Sequence, residues 1–479
     1  MENKLCFKFK QFQFDFSKIK DLFRHISHAI SGKEEDYTKI KISKAILYLS
    51  IPMVLEMLME SLFAVVDIFF VSKLGADAIA TVGITESLMT IIYAIAFGLT
   101  AGTSAIISRR TGEKNLEGAK SGAVQAIFMG IIISLILAIP FVIFTKEILG
   151  FMGANDVIVH QYSSFTRLLL GSNVVVMLLF VINSIFRSAG NPAYSMRVLW
   201  IGNIINMVLD PILIFGLGFI PALGLMGAAI ATTTGRSIAV IYQIYILFHS
   251  SSKFRLMLKD LKIELGLMLK ILKLSVGGIF QSIIATSSWV IMVRLISQFG
   301  SEIVAGYTIA IRIVVFALLP SWGLSNAAAT LVGQNLGANR PDRAERSVQI
   351  TSLVNIVFLG VIGAILIVFP QMFIRFFIST PSVLAHGALC LRMISLGFIF
   401  YGLGMVMMQA INGAGDTKTP TWINFFCFWI FEIPLAIFLT NILEMNEFGV
   451  YLAIPIAETA LALIAFWVFK KGKWKLKKV

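Results

Sequence analysis

With 479 residues, of which 57% are hydrophobic and only 14% charged, and a mean hydropathy of +0.86, the chain is too apolar for a soluble domain, whose apolar share is about half. The formal net charge of +14 does not make it a nucleic-acid binder, because its Lys and Arg residues lie between the apolar runs and not on one basic module. Cys6, Cys390 and Cys427 have no metal-ligand spacing, so neither a disulfide nor a zinc site is expected. What remains is an all-α polytopic membrane protein.

Residues 1–44 precede the first apolar run. Phe9, Phe12, Phe16, Ile19, Phe23, Ile26 and Ile30 recur every three or four residues, with Lys8, Lys10, Lys18, Lys20 and Arg24 on the other faces. That is the pattern of an amphipathic basic helix. No small-residue cleavage site closes a compact apolar stretch, so the segment is expected to be retained as a cytoplasmic arm, lying in the membrane surface or packed under the membrane body.

Twelve apolar runs follow. They divide the chain into a first lobe over 45–250, a linker over 251–269, a second lobe over 270–469 and a basic cytoplasmic tail over 470–479. The stretch Ile51 to Gly75 is long enough to span a bilayer, since about 20 helical residues cover ~30 Å of hydrocarbon. It nevertheless carries Glu56, Glu60 and Asp67, whose spacing sets all three acids on one helical face. An acid at the centre of a membrane helix costs roughly 2.5–3.5 kcal/mol on insertion scales, so this stripe must face protein or water. A pathway for cations is the first expectation.

Charge between the runs sets the topology. Arg109, Arg110, Lys114 and Lys120 fall in one even-numbered connection, Lys253, Arg255, Lys259 and Lys262 in another, and Arg340, Arg343 and Arg346 in a third, while the odd connections hold little more than Lys73, Lys146 and Arg375. Both termini are therefore expected in the cytoplasm. The chain also repeats itself. A shift of 225 residues carries Ser72 onto Ser297, Gly75 onto Gly300, Gly98 onto Gly323, Gly112 onto Gly337, Gly190 onto Gly415 and Gly224 onto Gly449. With six runs per repeat the halves share one orientation, which implies twelve transmembrane helices in two six-helix lobes, related by a pseudo-twofold axis along the membrane normal.

The stretch VVDIFFVSKLGADAIATVGI (65–84), the basic loop after the second run, the FRSAGNP turn (186–192) and NMVLDPILIFGLG (206–218) together resemble the multidrug and toxic compound extrusion (MATE) family of cation antiporters. The resemblance covers nearly everything after residue 44. It implies export of cationic amphiphilic drugs or toxic compounds in exchange for inward H⁺ or Na⁺, by alternating access of the two lobes. It further implies a monomeric protein of a prokaryotic inner membrane, with the lipid bilayer and cationic small molecules as partners and no cofactor beyond the coupling ion. Asp67 matches the family's first-span aspartate. Asn206 and Asp210 match an Asn and an Asp one turn apart in span 5, and Thr232, Thr233 or Thr234 falls where span 6 supplies a hydroxyl. Carboxylate, amide and hydroxyl oxygens suit a proton or a hard cation, with Asp67, Asn206 and Asp210 as ligands if the ion is Na⁺. Glu56 and Glu60, with Gln281 and Ser282 from the second lobe, are placed in the substrate cavity.

The second lobe departs from one branch of that family. Span 7 offers Gln281 and Ser282 where a Glu would be needed, and span 10 has no acid; Glu432 and Glu458 either pair with Arg312 or take part in transport. Under the same shift Glu56 becomes Gln281, Glu60 Ala285, Asp67 Met292, Asn206 Phe431 and Asp210 Leu435. Coupling is thus expected in the first lobe alone. The run GLMGAAIATTTG (224–235) lacks the Gly-Lys-Ser/Thr ending of a phosphate loop and reads as close helix packing. A lipid-linked saccharide flippase is the rival class, although it would call for a cationic cavity. An enzyme is remote, because the five histidines form no catalytic pattern. The repeat is complete without residues 1–40, which predicts that their removal leaves transport largely intact. Cysteines introduced near Lys259 and near Glu444 test the topology: an impermeant thiol reagent applied outside should label the second and not the first, and the reverse pattern would overturn twelve spans with cytoplasmic termini.

Overall fold

The computed structural model describes residues 16–218, 220–249 and 254–479, with side chains from residue 23. The expectations placed on Cys6, Lys8, Phe9, Lys10, Phe12 and Lys253, and on the side chains of Phe16, Lys18, Ile19 and Lys20, lie outside the described residues. Each of the twelve apolar runs becomes helix, because in hydrocarbon every backbone polar group must be satisfied within its own segment. After α1 (Phe16–Ser31), the first lobe comprises α2 (Ile42–Val71), α3 (Ala76–Gly112), α4 (Leu116–Ile143), α5 (Ile158–Ala189), α6 (Pro192–Phe215) and α7 (Leu225–His249). The second comprises α8 (Leu265–Ile296), α9 (Ser301–Gly337), α10 (Pro341–Val368), the pair α11 (Pro381–Ser395) and α12 (Phe398–Gly413), α13 (Lys418–Ile442) and α14 (Glu447–Lys470). The α11–α12 pair is one span bent by 53°. Its equivalent, α5, is interrupted at Ser172, which the 225-residue shift carries onto Gly397 in the α11–α12 break. The arrangement is all-α, in two lobes of six spans.

The repeated glycines are where the lobes touch. A Cβ built on Gly98 of α3 would lie 2.5 Å from the backbone nitrogen of Ile279 in α8, and one built on Gly323 of α9 would lie 2.8 Å from the carbonyl carbon of Met53 and the nitrogen of Val54 in α2. The shift relates Gly98 to Gly323 and the pair Met53–Val54 to Gly278–Ile279, so this is one contact made twice. Gly112 meets the carbonyl oxygen of Gln334, and Gly337 meets that of Arg109, again a pair of equivalents. Real Cβ atoms do not occupy such gaps, so side chains here would force the helices apart. These approaches run from the middle of α3 and α9 to the end that carries the basic connections after them. Gly83, at the opposite end of α3, has nothing within 4 Å, and towards that end α2 and α8 expose Leu62, Val65, Phe69 and Val290.

At the joined end a segment near each terminus acts as a tie, which the sequence reading did not anticipate for residues 25–40. His25 Nδ1 lies 2.7 Å from the Tyr48 hydroxyl, and Arg197 donates to the Ile30 carbonyl at 2.7 Å. The buried Tyr37 lies against Gly190, whose φ of +96° leaves room for a ring but not for a Cβ. Lys114 bonds Asp36 at 2.8 Å. From the second lobe, Arg340 donates to the Thr38 carbonyl at 2.8 Å and Arg343 to those of Tyr37 and Ile40. Residues 30–40 therefore bridge the lobes, and the described part of the arm packs under the body. The tail repeats the device: Trp474 is buried and stacked on Phe469, Arg109 of the first lobe donates to the Lys477 carbonyl at 2.7 Å, and Lys475 and Lys477 pair with Glu345 and Asp416 of the second.

Partial burial works against ionised Asp36, but hydrogen bonds from Lys114 and Thr38 outweigh it and hold the carboxyl below its ordinary value. A depressed folded-state value means that this tie is fully present above the unfolded aspartate range, near 3.9, and is lost only as pH falls through the lower folded value. Deleting residues 1–40 should lower the thermal unfolding midpoint of the purified protein by several degrees, as should Arg340→Ala with Arg343→Ala; unchanged midpoints in both would show that the tie contributes nothing.

Candidate cation and cargo site

The acidic stripe of α2 divides into three environments. Glu56 is sealed, its side chain 2% exposed, with Arg187 of α5 at 2.6 Å and the Asn183 amide at 3.2 Å. In the second lobe the equivalents of Glu56 and Arg187 are Gln281 and Asn412. They exchange amide hydrogen bonds of 3.1 and 3.0 Å. The same link between the first and fourth spans of a lobe is thus an ion pair in one and a neutral amide pair in the other. Glu56 and Gln281, expected in the substrate cavity, make these bonds within their own lobes; both bonds to Glu56 fall on Oε1, and its Oε2 is buried with no hydrogen-bond partner among the described residues. Ser282 returns its hydroxyl to the Gly278 carbonyl at 3.2 Å.

Glu60, one turn further along, is open by comparison. Its side chain is 32% exposed, with the Asn203 amide at 3.3 Å and Arg236 of α7 at 3.9 Å. Arg236 also donates to the Tyr93 hydroxyl at 3.3 Å and lies over the Phe63 ring. Sequence reading passed over Arg236, although a lone guanidinium within a span is a signal in its own right, and it stands one turn from Thr232 on the same helical face.

The third environment is the expected cation site. Asn206 and Asp210 are one turn apart on α6 and buried. The Asn206 amide donates to Asp210 Oδ1 at 3.4 Å and to Thr232 Oγ1 at 3.2 Å. Pro211 has no N–H to return to the carbonyl four residues back, which leaves one more acceptor in the helix beside Asp210. Asp67 lies within electrostatic reach of Asp210 and of Arg236. Of the three threonines, Thr232 joins this group, Thr233 faces the α5 break with its hydroxyl 3.3 Å from Ser172 Oγ, and the Thr234 hydroxyl makes no hydrogen bond among the described residues. Two buried oxygens of this group, Asp210 Oδ2 and Asn206 Oδ1, have no hydrogen-bond partner among the described residues. Glu56 Oε2 shares that condition, but Arg187 already balances the charge of Glu56. Asp210 has no ion-pair partner among the described residues, and a buried carboxylate in that condition calls for a proton or a cation.

The MatE family model matches residues 52–212 and again 278–438. The chain belongs to the MatE family. The two matched stretches repeat at the spacing of the two lobes. This MatE chain is 24% identical to the probable multidrug resistance protein YoeA of Bacillus subtilis, over 90% of its own length and 93% of that protein's. It is 25% identical to the FAD transporter of Shewanella oneidensis over 90% and 95%. Its fold superposes on a MOP superfamily transporter from Pyrococcus furiosus with a TM-score of 0.87, at 24% identity, covering 92% of this chain and 98% of that one.

The second lobe of this MatE chain has acids within its spans, Glu432 buried and Glu458 half-buried. Glu432 on α13 accepts from Ser288 at 2.6 Å, and Glu458 on α14 accepts from Tyr401 and acts electrostatically with Glu432. Arg312, considered above as their partner, is instead an electrostatic partner of Glu86 across the lobes. The shift places Glu458 on Thr233 and Glu432 on Met207, one residue past Asn206, so neither has an acidic equivalent in the first lobe at fixed register. The Glu56–Arg187 link yields a test. Arg187→Ala strands a buried carboxylate and should cost about 3–5 kcal/mol, seen as lost folded protein in the membrane fraction. Glu56→Gln with Arg187→Asn installs the second lobe's amide pair and should restore most of it; a double variant no better than the single one would refute the equivalence.

Proposed function

We propose that the chain is a secondary antiporter that exports cationic amphiphilic drugs or toxic compounds in exchange for inward H⁺ or Na⁺. The observation that carries the reading is the pair of unpartnered buried oxygens on Asp210 and Asn206, held beside Asp67 and Thr232. The driving cation enters there. It cancels negative charge, weakens the hold on a cationic cargo and biases the lobe towards its other packing, and its release to the cell resets the cycle. The name of the Bacillus subtilis relative, a probable multidrug resistance protein, agrees with export of drugs. Glu60, Asp67, Glu86 and Asp210 outnumber Arg236 and Arg312 along these helices, which favours a cationic cargo over the pyrophosphate of a lipid-linked saccharide.

In vesicles loaded with a cationic dye, a pH gradient and a Na⁺ gradient imposed separately should give efflux with one of them. Asp67→Asn should lower that efflux at least roughly tenfold, as expected when the neutral amide removes a charge worth more than 1.4 kcal/mol to the coupling ion, while the protein still inserts normally. Full gradient-driven efflux by this variant would sink the assignment.

A further inference from the structure

Two guanidinium–carboxylate pairs lie on one face of α2, and they are built differently. Arg187 touches Glu56 at 2.6 Å in a sealed setting. Arg236 stands 3.9 Å from Glu60, whose side chain is 32% exposed. That separation is beyond hydrogen-bond length. Glu60 does not depend on it, because the Asn203 amide reaches its other oxygen at 3.3 Å. A guanidinium offers five donors. Arg236 uses one, from Nη1 to Tyr93; among the described residues Nε makes no hydrogen bond, and neither Nε nor Nη2 is among the atoms sealed without a partner. The Phe63 ring under the guanidinium and the Tyr93 hydroxyl hold the fork in place. At the matching position the second lobe has Leu461, so the scaffold does not need a cation there.

We propose that Arg236 is a specificity-determining residue that takes a carboxylate of the cargo on its Nε–Nη2 edge, which makes no hydrogen bond among the described residues and meets Glu60 only at 3.9 Å through Nη2, so that the preferred cargo is a zwitterionic amphiphile and not a simple cation. A carboxylate matches that edge in shape and charge, with two parallel N–H···O bonds. The cationic end of the same molecule then lies towards Asp67, which acts electrostatically on both Arg236 and Asp210. Glu60, 3.9 Å away, competes with the cargo for Arg236 and balances its charge within the lobe. The inference deepens the export reading and rests on it for the direction of movement, but binding at Arg236 can be measured without transport.

The probe is a xanthylium dye with a free carboxyl, compared with its methyl ester, which keeps the cation and removes the anion. Fluorescence anisotropy with the purified full-length chain should show tighter binding of the acid by the wild type. Arg236→Met should shift the acid-to-ester affinity ratio towards the ester by on the order of tenfold, the value of a charge-assisted hydrogen-bonded pair. Arg236→Lys should retain part of the preference. Glu60→Gln, which frees the guanidinium, should move the ratio several-fold the other way, so a poorly folded Met variant does not leave the question open. A wild type that binds neither dye or prefers the ester, or a ratio blind to the charge at position 236 or to Glu60→Gln, overturns the proposal. Discrimination in binding with no gradient-driven movement of either dye would sink the export reading and leave the site standing.

Discussion

The architecture depends on how closely backbone can approach backbone where the lobes meet. Gly98, Gly112, Gly323 and Gly337 occupy positions where a Cβ would fall inside a neighbouring helix. Because each contact is matched by its equivalent, α3 is seated on α8 as α9 is seated on α2. That seating brings the four helices together at one end and lets them diverge towards the other. The polar half of α2, with Glu60 and Asp67, then faces the interior of the first lobe beyond the seam. Lipid tails give no hydrophobic reward for helix association, so contact of this closeness is what holds membrane helices together.

On a symmetric frame the two lobes solve one problem with different chemistry. Each must join its first span to its fourth, and Glu56–Arg187 and Gln281–Asn412 are the two solutions. The ion pair is stronger in isolation but pays desolvation for both members, so it is no better a fastener than the amides. Carboxylates beyond the fastener are a separate matter. Asp67, Asp210 and Glu60 sit where the second lobe has Met292, Leu435 and Ala285, and none of them is needed to build the lobe.

Much of the fold was legible because the information was periodic or repeated: apolar runs of membrane length, charge between them, and glycines recurring at one offset. The Asn206–Asp210–Thr232 group was legible through its resemblance to a known family. Arg187 and Arg236 as partners of α2 were not, since each pairing crosses more than a hundred residues and depends on which helix face turns inward. Glu432 and Glu458 were legible as acids within spans, but their partners Ser288 and Tyr401 were not, again because the pairing depends on which helix face turns inward. The tie made by residues 30–40 was hidden for another reason. Arg197, Arg340 and Arg343 bind backbone carbonyls there, and every residue has a carbonyl, so no side-chain pattern announces the contact.

The glycine seam has an electrical consequence. Its closest contacts between α2, α3, α8 and α9 are made by glycines, small residues and backbone, which carry no net charge. A membrane voltage, which acts at roughly 2.3 kcal/mol per elementary charge per 100 mV, finds nothing to pull on in those contacts. The charge between the lobes lies instead in the electrostatic pair of Glu86 on α3 and Arg312 on α9. Parting α3 from α9 therefore separates one pair of opposite charges, and the electrical cost of moving the lobes falls on that pair and not on the seam.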